Sequence, residues 1–422
     1  MIVAFIFILC FVVGVPIAFI LGATGLTHII TIDPSILATV PQKLFTTLYS
    51  FNLLAIPLFM LAGDLMALSG DVSRICDFAR CLLGHIKGGL CHALILVGSF
   101  MGLSIGSASA SASLLGSILY PELEKDGYED TFAASLIAST AVIGPIIPPG
   151  IYYVIFGVAA SVSIQDLFLS GIIPGIVITL SLSAIVAFIG RNKDWPVSPK
   201  STMGDLKKVA KESVFALMTP LVILIFIMMG ICTPTEAAAV LCVLVYAVGT
   251  FIYKKITFKE VFPLLMKSAT VSGTVLMIAA MGGIMGFGLA MDQIPSKIAG
   301  FLISLTSNRY AVLFLINLLL LIVGCLLDGL PALLILVPVL MPVVKRFGID
   351  SVHFGFLMCY NLTIGLLTPP VGAVLYITAG ATGVSANRLA KSIWPWVGVL
   401  IALLFLFTYV PDLVILLPRI LD

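Results

Sequence analysis

Gly144-Pro145-Ile146-Ile147-Pro148-Pro149 and, at an offset of 221 residues, Gly365-Leu366-Leu367-Thr368-Pro369-Pro370 are the two stretches whose reading decides the fold. Each interrupts an apolar segment in mid-course. Proline removes a backbone donor and clashes with the preceding turn, so a helix entering either stretch breaks there. The same offset pairs Leu115 with Leu336, Leu119 with Leu340, Pro121 with Pro342, Gly127 with Gly348, Leu136 with Leu357 and Pro174 with Pro395. Four prolines and two glycines align without a gap, which marks an internal repeat.

Ahead of each break lies another interrupted apolar segment. From Ala93 to Tyr120 the interruption is Ser104-Ile105-Gly106-Ser107-Ala108-Ser109-Ala110-Ser111-Ala112-Ser113, and from Val312 to Val344 it is Gly324-Cys325-Leu326-Leu327-Asp328-Gly329-Leu330-Pro331. Both read as re-entrant helical hairpins with polar tips, over about 93–120 and 312–344. The discontinuous helices follow at about 131–162 and 353–381. First-repeat elements then occupy 71–163, a central scaffold 164–290, second-repeat elements 292–383, and a carboxy-terminal helix 384–422.

The surrounding sequence demands a membrane. Of 422 residues, 60% are hydrophobic and 10% charged, where soluble domains carry roughly 25% charged residues. Mean hydropathy is +1.21. About 20 apolar residues cross a bilayer core, and the stretches 2–30, 44–68, 164–190, 214–231, 235–253, 261–290 and 392–410 meet that length. The pieces 71–84 and 292–305 are amphipathic and suit an interface. Met1 to Leu21 has no basic leader region and reads as a retained first helix. One all-α polytopic membrane domain, 1–422, is the expectation. A net charge of +2 gives no reason for a nucleic-acid partner. The eight cysteines stand singly and read as packing residues.

Topology follows from counting. Five crossings separate the hairpins, and an odd number puts them on opposite sides of the bilayer. The loop 191–211 holds Arg191, Lys193, Lys200, Lys207, Lys208 and Lys211 against two acids, and Lys254, Lys255 and Lys259 follow the next pair of crossings. Basic loops stay inside, so the first hairpin opens to the cytoplasm and the second outward. The amino terminus is then cytoplasmic and the carboxy terminus periplasmic.

Inverted repeats with broken helices build binding sites at the midplane, because freed backbone groups are tolerated there only around a cavity or ligand. Ser104, Ser107 and Ser109 offer hydroxyls in the first half. Asp328, with Asn361, Thr363 and Thr368 near the Gly365 break, does so in the second. Oxygen ligands of this kind suit a hard cation. Packing by small residues is the plainer reading of each serine, whereas an acid deep in an apolar run is functional by default. Thr233-Pro234-Thr235-Glu236 reads as a capping box, Asp64 as an interfacial acid, and His28, His85, His92 and His353 as unrelated histidines. No nucleotide-binding or zinc-protease motif occurs, and no nucleophile and base stand at useful spacing, so an enzyme is not expected.

Ala55-Ile56-Pro57-Leu58-Phe59, Gly106-Ser107-Ala108, Ile146-Ile147-Pro148-Pro149, Thr233-Pro234-Thr235-Glu236-Ala237, Leu340-Met341-Pro342 and Gly365-Leu366-Leu367-Thr368-Pro369-Pro370-Val371-Gly372 follow one another in an order specific to one family. In these motifs the chain resembles the large membrane subunit of the tripartite ATP-independent periplasmic (TRAP) transporters, close to members handling sialic acid and C4-dicarboxylates. The resemblance covers essentially the whole chain. It implies a bacterial inner-membrane permease with no cofactor. Its partners would be a small four-helix membrane subunit and a soluble periplasmic substrate-binding protein. It further implies Na⁺-coupled, elevator-type import of a small organic acid. By motif position, one Na⁺ would be held by Ser104, Gly106, Ser107, Ile143, Gly144 and Pro145, and another by Gly324, Asp328, Thr363, Gly365 and Thr368. Ser107, Ser109, Asn361 and Pro149 would meet substrate. A binding-protein-independent symporter of similar architecture is the alternative, and a channel a more distant one.

Overall fold

The structure, a computed structural model, describes residues 2–197, 199–306 and 308–421. Among the described residues every regular element is helical. The expected first span, 2–30, is two helices, α1 (Ile2–Val13) and α2 (Ile17–Ile32). Gly14 takes a left-handed φ of 82° and Pro16 follows, so α1 is closed and a new helix begins. The expected span 44–68 is also divided. α3 (Val40–Leu48) gives way to a 3-10 turn at Phe51–Leu54 before α4 (Ala55–Ser69).

The amphipathic α5 (Asp71–Leu83) leads into α6 (Gly89–Ile105) and α7 (Ala108–Lys125), joined at Gly106 and Ser107. The broken helix is α8 (Asp130–Ala141) and α9 (Ile151–Ala160), followed by the long α10 (Ile164–Gly190). α11 (Met203–Met228) reaches into the expected loop 191–211, because a Thr202–Asp205 capping box starts the helix earlier. α12 (Pro234–Ala247) opens on the Thr233–Glu236 box and runs into a π turn, Val248–Ile252.

The second repeat holds α13 (Phe258–Met291), α14 (Ile294–Leu305), the hairpin arms α15 (Arg309–Leu326) and α16 (Gly329–Arg346), and the half-helices α17 (Ser351–Gly365) and α18 (Ala373–Thr382). The tail, expected as one helix, is three: α19 (Ala386–Ser392), α20 (Trp394–Tyr409) and α21 (Asp412–Leu421). Pro395 and Pro411 stand at the two restarts, and α19 and α20 meet at 50°.

Packing repeats the sequence symmetry. The offset carries α7 onto α16 end for end. α9 packs on α16 while α18 packs on α7, and α2 packs on α13 while α4 packs on α12. Shifting one member of each pair by 221 residues generates the other, the exchange of contacts that a two-fold relation produces. Two bodies emerge. α1–α4 and α11–α13 pack among themselves, and α6–α10 pack with α15–α21. The amphipathic α5 and α14 connect them.

Candidate ion and substrate site

The tip of the first hairpin lies directly on the first break. Gly106 ends α6 at φ 58°, and a Cβ there would run into the Pro149 carbonyl oxygen. One turn earlier, Gly102 rests on Ile147 and the Gly144 carbonyl. The space beside Gly144 is walled by oxygen. A Cβ there would fall 2.9 Å from Ser111 Oγ, 3.2 Å from the Ala141 carbonyl and 3.5 Å from the Ser107 carbonyl. Ser111 Oγ and the nearby Thr140 Oγ1 are buried, and neither has a hydrogen-bond partner. Buried hydroxyls are ordinarily satisfied, so the oxygens around Gly144 fit a small hard cation.

Ser104 donates to the Phe100 carbonyl at 3.3 Å and so stays within its own helix. Ser107 caps α7 with its carbonyl on the Gly144 side, and Ser109 is half-buried. The Ile143 carbonyl accepts from the Ile146 and Ile147 amides, both at 3.0 Å, and Ile143, Gly144 and Pro145 form the turn of the break.

In the second half Gly324 and Gly365 meet backbone to backbone, with no room for a side chain on Gly365. The Val371 amide donates to the Cys325 carbonyl at 3.3 Å, tying the hairpin arm to the break. Thr363 donates to the Cys359 carbonyl at 2.7 Å and Thr368 to the Ile364 carbonyl at 3.0 Å, leaving hydroxyl lone pairs free. Asp328 stands at the amino end of α16 and is exposed to a cavity. Asn361 is fully buried. Its amide donates to Asn317 at 3.0 and 3.2 Å, and its Oδ1 has no hydrogen-bond partner. It lies between α15 and α17 and lines none of the cavities described next.

Two cavities, of about 620 and 410 Å³, lie along the seam between α13 and α16, and a third, of about 730 Å³, lies among α1, α2 and the end of α13. The first joins Asp328 and Pro331 to Thr270 and Thr274. The second joins Leu334 and Pro338 to Gly282, Gly283 and Gly286. The third joins Thr24, His28 and Thr31 of α2 to Met285 and Leu289 of α13, with Phe7 of α1 and Ile335 of α16 beside them. At Gly25 the α2–α13 contact is close, for a Cβ there would fall 2.8 Å from the Met285 nitrogen. Asp64, read as a solvated acid, pairs with Lys267 at 2.7 Å and fastens α4 to α13.

Sequence reasoning passed over Ser111, Thr140 and Tyr152. Tyr152 packs its hydroxyl against Gly329, beside Asp328, and so links the first broken helix to the second hairpin. The offset could have found Thr140, since it is the counterpart of Asn361. Nothing local marks Ser111 among its neighbouring serines.

Residues 4–413 match the model of the tripartite ATP-independent periplasmic transporter DctM component. The chain is 35% identical over 406 residues to the isethionate TRAP transporter permease protein DctMQ of Oleidesulfovibrio alaskensis, covering 96% of this chain and 64% of that protein. It therefore spans just under two thirds of that relative's length. It is also 35% identical to the sialic acid TRAP transporter large permease protein SiaM of Vibrio cholerae, covering 96% of this chain and 95% of that one. The fold is similar to the Alcanivorax borkumensis YdaH transporter at a TM-score of 0.63, with 13% identity over 90% of this chain and 88% of the other. A multi-pass helical membrane protein with paired hairpins and broken helices, and not an enzyme, the chain belongs to the DctM component, or large permease, family of the tripartite ATP-independent periplasmic transporters.

Proposed function

We propose that this permease imports a small organic acid across the bacterial inner membrane by coupling it to Na⁺, moving α6–α10 and α15–α21 as one body past a static frame of α1–α4 and α11–α13. The loose α13–α16 seam is the observation that carries this reading. Protein interiors are close-packed, and two cavities following one another along this seam support slippage there. Oxygens around Gly144 and near Gly365 support ion sites on the moving body.

Sialic acid and isethionate, named for two relatives, are both small acids, and a C4-dicarboxylate falls in the same class. Asp328 would repel such an anion in the adjoining cavity unless a cation offset its charge, which supports coupled rather than independent entry. A periplasmic binding protein would deliver the acid, and a small membrane subunit would brace the frame. The test is uptake into proteoliposomes holding this chain, a small subunit and a binding protein. Accumulation that needs both an inward Na⁺ gradient and the binding protein is expected. Uptake needing neither refutes the proposal, uptake without the binding protein favours a self-sufficient symporter, and single-channel currents favour a pore.

A further inference from the structure

A cavity of about 360 Å³ lies where the start of α15, the α16–α17 turn and the α20–α21 joint meet, and one charge in it is unmatched. Its acids are committed within the protein. Asp350 accepts from the Val352 and His353 amides, both at 2.9 Å, and Asp412 accepts from Arg419 at 3.0 Å. His353 Nε2 bonds the Phe407 carbonyl at 2.9 Å, and the Thr408 hydroxyl donates to the Leu404 carbonyl at 2.7 Å. Arg309 is the exception. Among the described residues no carboxylate pairs with it. Its guanidinium donates to the Tyr310 hydroxyl at 2.8 Å and sits 4.8 Å from the centre of that ring.

Tyr310 also walls the neighbouring cavity, a groove of about 470 Å³ between α15 and α20 with Ala311, Phe314 and Leu315 on one side and Tyr409 on the other. Its floor is a series of rings. Tyr310 lies 5.9 Å from Tyr409, Tyr409 6.3 Å from Phe405, and Phe405 5.6 Å from Phe314, between ring centres. α15 is long and apolar enough to cross a bilayer, and Arg309 is its first residue. Phe314 and Leu315 are exposed on its outer face, so the groove faces hydrocarbon and the guanidinium stands at head-group level. Tyrosines collect at that level in any membrane protein, but a belt of tyrosines does not account for a groove that runs from an unmatched cation into the bilayer.

We propose that the Arg309 cavity and the α15–α20 groove together hold one anionic phospholipid. The guanidinium takes the phosphate through its forked donors. Tyr310, whose hydroxyl accepts from Arg309, keeps its own proton to donate to a second phosphate oxygen. One acyl chain lies along the rings below. A single unmatched cation calls for one net negative charge, which selects an anionic over a zwitterionic head group. A soluble anion would leave the groove unfilled, and the groove has the volume of a small-molecule site, roughly 300–1,000 Å³, rather than the extent of a protein interface. Bound there, the lipid bridges the first arm of the second hairpin to the carboxy-terminal helices.

The test is native mass spectrometry of the purified, delipidated full-length chain offered dioleoylphosphatidylglycerol and dioleoylphosphatidylcholine in equal amounts. The first lipid bound is expected to be phosphatidylglycerol by roughly fivefold, the scale of one charge-assisted contact at a wet boundary. Arg309→Gln should bring the ratio close to one. Ala311→Phe, which fills the groove and leaves the arginine in place, should remove the preferred adduct even if the arginine variant does not fold. Equal binding by the unsubstituted chain, or a preference that survives either substitution, overturns the site. An equal loss in Lys208→Gln, on an exposed turn of α11, would make the preference one of bulk charge and overturn it too. Glycerol 1-phosphate, the head group without its chains, should not displace the lipid at equal concentration. Displacement would mean a soluble-anion site and refute the lipid. The measurement involves neither Na⁺ nor solute, so it stands apart from the transport proposal.

Discussion

Ser111 carries a buried hydroxyl with no partner, 2.9 Å from where a Cβ of Gly144 would sit. Removing a buried polar atom that is already unsatisfied costs little stability, so Ser111→Ala should fold normally. Its Na⁺ half-saturation should rise about tenfold, the equivalent of one lost ligand worth about 1.4 kcal/mol. Unchanged Na⁺ dependence of uptake would remove Ser111 from the site. At Asp328 the expectation is sharper. Asp328→Asn keeps the shape of the α16 start and removes the charge that faces the cavity, so Na⁺ stimulation should disappear while the protein still elutes as a folded monodisperse species. Asp64→Asn, by contrast, breaks a pair whose Lys267 partner is largely exposed. Transport should persist with a stability change below about 1 kcal/mol.

The helices are shaped by a small set of local signals, and their joints carry the energetic cost. Asp71 is buried at the start of α5, and that burial pushes its carboxyl up to about 6. The folded state therefore binds the proton more tightly than the unfolded chain does. Stability attributed to Asp71 is lower above pH 6 and recovers as pH falls from about 6 toward about 4, the reverse of a salt-bridged acid. Asp71→Asn should accordingly raise the melting temperature in detergent near pH 7.5, by an amount corresponding to roughly 2–3 kcal/mol, and leave it unchanged near pH 4. A substitution equally stabilising at both pH values would show that the ionised carboxylate is not the cause. α11 provides a second check on local control. Thr202→Ala removes one half of its capping box and should fray the helix start at a cost of about 1 kcal/mol, read as faster exchange over the first turn.

The movement proposed here is a property of the whole molecule, and the α13–α16 seam is where a cross-link tests it. A Cβ on Gly286 would lie 3.2 Å from Cβ of Pro338, close to the separation of about 3.5–4.5 Å that a disulfide spans. Gly286→Cys with Pro338→Cys, in a background without the native cysteines, should cross-link under mild oxidation. Uptake should fall at least tenfold and return on reduction if the seam must slide. Full uptake by the cross-linked protein would show that α13 and α16 move together. The exchanged pairs, α9 on α16 with α18 on α7, bind each hairpin to the broken helix of the other repeat. In the proposed movement a displacement of one hairpin would therefore carry both candidate ion sites with it.

The repeat, the two hairpins, the two breaks and the membrane setting were all legible in the sequence. Proline and glycine act on their own backbone, and hydrophobic length acts through composition. The same local signals, read less closely, divide 2–30 at Gly14 and Pro16, extend α11 to Met203 and split the tail before Pro395 and Pro411. What only the tertiary structure decided is which oxygens remain without partners and which seam remains loose. Ser111 looks like every other serine in its run until Gly144 is packed against it, and Asn361 looks like a cavity residue until Asn317 takes its amide. Both outcomes depend on contacts between segments far apart in sequence, because whether a polar atom is satisfied, or a helix face filled, is settled by the neighbour that folding brings to it and not by the residues on either side.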